Sequence, residues 1–144
     1  MWCRWRTTIT AVTFCVTASI VSYEFTSVAQ SQNYTPSEFR SVLKGLGYDV
    51  PIQGEDLTDE ATQNAIRALQ QRHNLNVDGV ASKTTQDVVT GLIRNLRGSL
   101  NLVVKPSPSL PRNESYSPEL IAAVQQFQRQ FNLPATGSAN LETR

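Results

Sequence analysis

Apolar residues recur at Phe39, Val42, Leu43 and Leu46, the i, i+3, i+4, i+7 spacing of one face of an amphipathic helix. The segment before them is a helix start: Thr35 as N-cap, Pro36 at the first helical position and Glu38 placed to close a capping box. Gly47 ends this helix as a left-handed cap, with Tyr48 packed just beyond. After a loop holding Pro51 and Gly54, Thr58 is the expected cap of a second helix, on which Thr62, Ile66, Leu69 and His73 form a stripe with Ala65 beside it. NLNVDGV closes it, and Asp78-Gly79 is a turn dipeptide in which glycine supplies a positive φ. A third helix is expected from near Ser82, carrying Val88, Val89, Leu92, Ile93 and Leu96 before Gly98. Three short helices joined by loops make an all-α, small three-helix orthogonal bundle.

Residues 105–117 contain Pro106, Pro108 and Pro111 without apolar period, and read as a Pro/Ser-rich semi-rigid linker or long loop. Tyr116-Ser117-Pro118-Glu119 then repeats the style of the first helix start, and Leu120, Val124, Phe127 and Phe131 form another helical stripe. Set against residues 63–85 at an offset of 58, residues 121–143 repeat Ala65, Gln70, Asn74, Leu75, Gly79, Ala81 and Thr85 as Ala123, Gln128, Asn132, Leu133, Gly137, Ala139 and Thr143. A duplicated unit accounts for all of these together. The second unit has no obvious first helix of its own. Leu92 to Val104, which resembles Phe39 to Val50, can serve both as third helix of one unit and as first helix of the next. The expected organisation is residues 1–29 as a signal peptide, 33–104 as one complete unit, 105–117 as the linker and 118–144 as a partial second unit.

The signal peptide is read from Arg4 and Arg6, an uncharged run from Thr7 to Tyr23, and Ser27-Val28-Ala29 as a small-residue cleavage site. The run is too short and too polar for a stable membrane anchor. Removing it takes Arg4, Arg6 and Glu24 from totals of 13 basic and 12 acidic residues, so the remainder is formally neutral. That balance lacks the basic stripe that nucleic acid demands. Both cysteines, Cys3 and Cys15, lie in the removed segment, so apolar packing must stabilise the rest.

No catalytic constellation is legible. A zinc site wants two or three histidines at ligand spacing, and His73 is the single histidine. Neither a cysteine nucleophile nor a serine motif remains, so no catalytic residue, no metal and no cofactor is expected. Glu55, Asp56, Asp59 and Glu60 lack the spacing of a calcium loop and read as negative charge at a helix N-terminus. Binding chemistry is better represented. Gln63, Arg67, Gln70 and Asn74 make a polar row along one flank of the second helix, while Asp78 follows in the turn and Tyr48 offers an aromatic face. Amides that both donate and accept, beside one cation, suit a glycopeptide; the same residues are also ordinary occupants of a solvated helix face.

Leu46-Gly47-Tyr48, Gln53-Gly54, Thr62, Ala65-Ile66, Leu69-Gln70, Asp78-Gly79 and Thr84-Thr85 fall in the order and spacing of a known pattern, L..LGY…DG…T..AV..FQ…DG..T. This stretch resembles the peptidoglycan-binding-like domain, a three-helix cell-wall-binding module; Gln53 and Thr136 stand where that family has Asp, and Ala81-Ser82 replaces a usual Gly. The resemblance implies an exported, non-catalytic protein of the periplasm or cell envelope that binds peptidoglycan or its glycopeptide fragments, with Tyr48, Gln63, Arg67, Gln70, Asn74 and Asp78 as candidate contacts. Alternatives are an envelope assembly module that docks a partner protein or a second copy through Phe127, Phe131 and Leu133, or the targeting part of a longer wall hydrolase.

Overall fold

The computed structural model describes residues 34–144. The signal-peptide expectation for residues 1–29 lies outside the described residues. Four helices follow in order: α1 (Pro36–Gly45), α2 (Glu60–Arg72), α3 (Lys83–Val103) and α4 (Pro118–Gln130). The protein is all-α.

Thr35 caps α1 and forms the capping box with Glu38, and Gly47 at φ 94° follows the C-cap. The cap of α2 is Asp59 rather than Thr58: its carboxylate accepts from the Thr62 amide at 2.9 Å, while Thr58 donates from its own amide and hydroxyl to Asp56. A carboxylate at this place faces the unpaired amides of the first turn and the helix dipole together. The Thr62 amide bond is the largest influence holding the Asp59 carboxyl down at about 2 against an ordinary 3.8, and Arg40 adds to it. A carboxyl lowered by folding stabilises above its unfolded value, and that stability goes as the pH falls from 3.8 through about 2. Acid unfolding monitored by circular dichroism therefore shows a steeper decline in this window for the native chain than for Asp59→Asn, which keeps the cap acceptor but cannot titrate.

α3 does not stop before Gly98 but runs unbroken to Val103. Val89 and Ile93 of its first half and Leu100 of its second lie in one buried cluster that also holds the apolar residues of α1 and α2 and Leu110, Leu120 and Val124. One core thus runs along both halves of this helix. The Pro-rich segment is a packed loop. Leu110 is buried, and Asn101 brackets it, donating Nδ2 to its carbonyl at 3.2 Å and accepting its amide at 2.8 Å.

The C-terminal turn closes the core from the other side. The Ala139 amide donates to the Gly45 carbonyl at 2.7 Å, and the Ser138 hydroxyl reaches the carbonyls of Lys44 and Gly45. These satisfy acceptors that a helix end leaves unpaired. Tyr116 lies against Gly45, donates its hydroxyl to the Gly137 carbonyl at 2.9 Å and accepts from the Ala139 amide at 3.0 Å. Burial pushes the phenol up to about 12.

Candidate functional site

The turn after α2 is organised by one side chain. Gln70, 1% exposed, donates Nε2 to Asp78 Oδ1 at 2.8 Å, the Val80 carbonyl at 3.0 Å and Thr85 Oγ1 at 3.2 Å, and its Oε1 accepts from the Gly79 amide at 2.9 Å. Gly79, at φ 77°, adopts the left-handed conformation that lets its amide turn inward. The second unit repeats the device: Gln128, 1% exposed, donates to Thr136 Oγ1 at 3.2 Å, the Ser138 carbonyl at 3.0 Å and Thr143 Oγ1 at 3.0 Å, and accepts from the Gly137 amide at 2.9 Å. Thr136 replaces Asp78 because the geometry asks only for an oxygen acceptor.

Gln70 is therefore placed inside, against the expectation that it belongs to an exposed polar row; both its N–H groups are taken and no ligand can reach it. Asn74 has a backbone role. It sits at φ 54°, just beyond the C-cap of α2, donating its amide to the Gln71 carbonyl while the Leu75 amide returns to the Gln70 carbonyl. Asn132 at φ 56° repeats this arrangement after α4. Asparagine tolerates this left-handed helix end better than other residues that carry a side chain.

The remaining polar candidates do come together. Arg67 donates Nη1 to Asn64 Oδ1 at 2.9 Å and Nη2 to Gln63 Oε1 at 3.2 Å. Its guanidinium lies over the turn, so close that a Cβ on Gly79 would come 3.0 Å from Nε. On the same turn the Asp78 carboxylate is exposed, and the Val80 amide bond first, then Gln70 and Asn76, hold it below the usual carboxylate range. Val77 and Val80 flank it, 49% and 59% exposed. A cation, an anion, an amide and two aliphatic side chains thus share a shallow solvent-facing surface.

The second unit does not present this surface. Ile121 and Gln125 lie over Gly137 where Arg67 lies over Gly79, and the turn behind them faces Tyr116 and α1 across a cavity of about 310 Å3. Tyr48 belongs to neither turn. It is half-buried and lines a separate cavity with Arg72, Asn140 and Arg144. His73, expected at a core or boundary position, is half-buried with Nε2 enclosed and without a partner, and burial lowers its pKa.

Sequence reasoning missed two buried arginines. Arg40 and Arg97, 1% and 2% exposed, tie down the loops that lead into α2 and α4. Among the described residues, no group of three or more His, Cys, Asp and Glu side chains could hold a metal ion, and no helix is long and apolar enough to cross a membrane.

No curated protein and no solved structure matches the chain. The family model described as "Putative peptidoglycan binding domain" matches it twice, over residues 36–89 and 94–144, the second match beginning inside α3. With the two matches covering most of its length, the chain belongs to the peptidoglycan-binding domain family, as one full and one partial unit.

Proposed function

We propose that the protein is an exported, non-catalytic module that binds peptidoglycan on the solvent-facing turn of its first unit, with Gln63, Arg67 and Asp78 as polar contacts and Val77 and Val80 as apolar ones. The double family match carries this reading. The difference between the two turns supports the choice of unit: the first exposes its polar groups, whereas the second directs Ser138 and Ala139 into α1. In the same reading the two units form one module through the shared α3, suited to stand alone or to target a wall hydrolase.

Export predicts a mature N-terminus at Gln30, read directly by sequencing the secreted protein. Residues 30–144 mixed with insoluble sacculi pellet with them, and Arg67→Ala lowers the affinity about tenfold, the usual worth of one hydrogen bond from a charged group. Gln125→Ala, at the corresponding place in the second unit, leaves retention unchanged. Protein that stays wholly in the supernatant at low salt contradicts the reading.

A second reading has its own observation. Phe127 and Phe131 pair with tilted rings, centroids 4.5 Å apart, and Phe131 is 51% exposed, an apolar patch suited to a partner or a second copy. Light scattering decides it, since a mass independent of concentration excludes self-association.

A further inference from the structure

The seam between the units holds a cavity that the turn site does not use. It is half-open, holds about 320 Å3 and is lined by Leu46, Tyr48, Arg72, Asn140, Glu142 and Arg144, of which the two arginines and the glutamate are exposed. Three elements converge to build it. Arg72 is the last residue of α2 and Tyr48 follows the left-handed Gly47 after α1. Gly47 has no side chain because Asn140 packs there, 2.8 Å from where a Cβ would stand. Asn140 caps the turn leading to Arg144, its Oδ1 accepting the Thr143 amide at 3.0 Å and hydroxyl at 2.9 Å, which leaves its Nδ2 free to donate.

The cavity wall carries two arginines against one carboxylate, that of Glu142. Among the described residues, the ion pairs are Arg40–Asp59, Lys83–Asp87 and Arg94–Glu114, so neither Arg72 nor Arg144 is matched by a carboxylate. Among the described residues, none hydrogen-bonds the hydroxyl of the half-buried Tyr48. The charges are felt nearby: after burial, Arg144 and Arg72 are the causes that lower the pKa of His73, and Arg72 contributes to lowering that of Arg144. Two arginines that line one cavity, neither in an ion pair, favour an anion that enters it. A planar fork facing a small cavity matches a carboxylate in particular.

We propose that this cavity binds a carboxylate, and, resting on the peptidoglycan reading above, that its occupant is the free carboxylate of a wall peptide. Arg72 and Arg144 clamp the two oxygens, while Tyr48 and Asn140 donate from the side. The turn surface and the cavity have no residue in common, so each is tested by its own variant.

The test uses the 15N-labelled mature chain, titrated with N-acetyl-dialanine as the free acid, with the same dipeptide as its C-terminal amide, and with inorganic phosphate. Saturable shifts of the Tyr48, Arg72 and Asn140 resonances are expected with the acid, with the amide at least about tenfold weaker. Arg72→Gln, at an exposed position, keeps the native unfolding midpoint and loses the discrimination between acid and amide. Acid and amide binding equally, phosphate binding as tightly as the acid, or no shift at these residues overturns the proposal. Sacculus pelleting is read separately. A chain that binds the acid but not sacculi keeps the carboxylate site and loses the wall-binding reading.

Discussion

Gln70→Leu destabilises the protein by about 3 kcal/mol, although leucine has nearly the same length and a higher affinity for a buried place. The leucine removes the side chain that satisfies the buried Gly79 amide and the shared donor to Asp78, Val80 and Thr85. An orphaned buried amide alone costs about 1–3 kcal/mol, and the turn that hands the chain from α2 to α3 loses its anchor as well. Burial of extra apolar surface offsets roughly 1 kcal/mol of this. Urea unfolding followed by circular dichroism measures the difference, and a change within about 0.5 kcal/mol, typical of a solvated surface position, contradicts the buried role. Gln128→Leu repeats the loss in the second unit, because Gln128 holds the Gly137 amide and Thr143 in the same way.

That pair of glutamines also shows what the chain discloses before it is folded. The helix starts at Thr35 and Ser117, the left-handed stop at Gly47 and the apolar stripes were legible because local rules write them: capping chemistry, positive φ and the 3.6-residue period. The duplication was legible too, and it even contained the answer for Gln70. Gln70, Gly79 and Thr85 recur as Gln128, Gly137 and Thr143, three identities that turn out to hydrogen-bond one another. Helical periodicity nonetheless placed Gln70 at the edge of the apolar stripe, where a polar residue is ordinarily solvated. The turn folding back over α2 buries it, and that depends on contacts eight to fifteen residues away. Asn74 was grouped with it by spacing, yet its backbone decides its role. Arg67 and Asp78 meet at the surface because a flank position of α2 and the turn that follows it are both set by local spacing. Arg72, Asn140 and Arg144 lay outside reach, since α2 and the C-terminal turn meet only through the tertiary seam.

Arg40→Met is the companion case, and it costs about 3 kcal/mol for a different reason. An arginine on a helix reads as a solvated cation, but Arg40, at the edge of the apolar face beside Leu43, is 1% exposed. Its guanidinium donates to the carbonyls of Asp56 and Pro51, to Thr62 Oγ1 at 2.7 Å and to the Asp59 carboxylate, while Gly54 folds tightly over it. Methionine fills much of the volume but leaves the loop before α2 without a donor. The Asp59 side chain is 36% exposed, so water takes over its charge and the loss stays near the lower end for a broken buried pair. Arg97→Met provides the internal comparison. Arg97 also binds loop carbonyls, Pro111 at 3.1 Å and Ser115 at 2.6 Å, yet no carboxylate pairs with it and its Nε is buried without a partner. Removing it therefore relieves a desolvation cost that Arg40 largely compensates, and the expected loss is smaller, about 1–2 kcal/mol. Urea midpoints of the two variants decide the matter: Arg40→Met must fall further than Arg97→Met, and the reverse order shows that the loop hydrogen bonds of Arg97 outweigh both the Asp59 ion pair and the cost of the unpaired nitrogen.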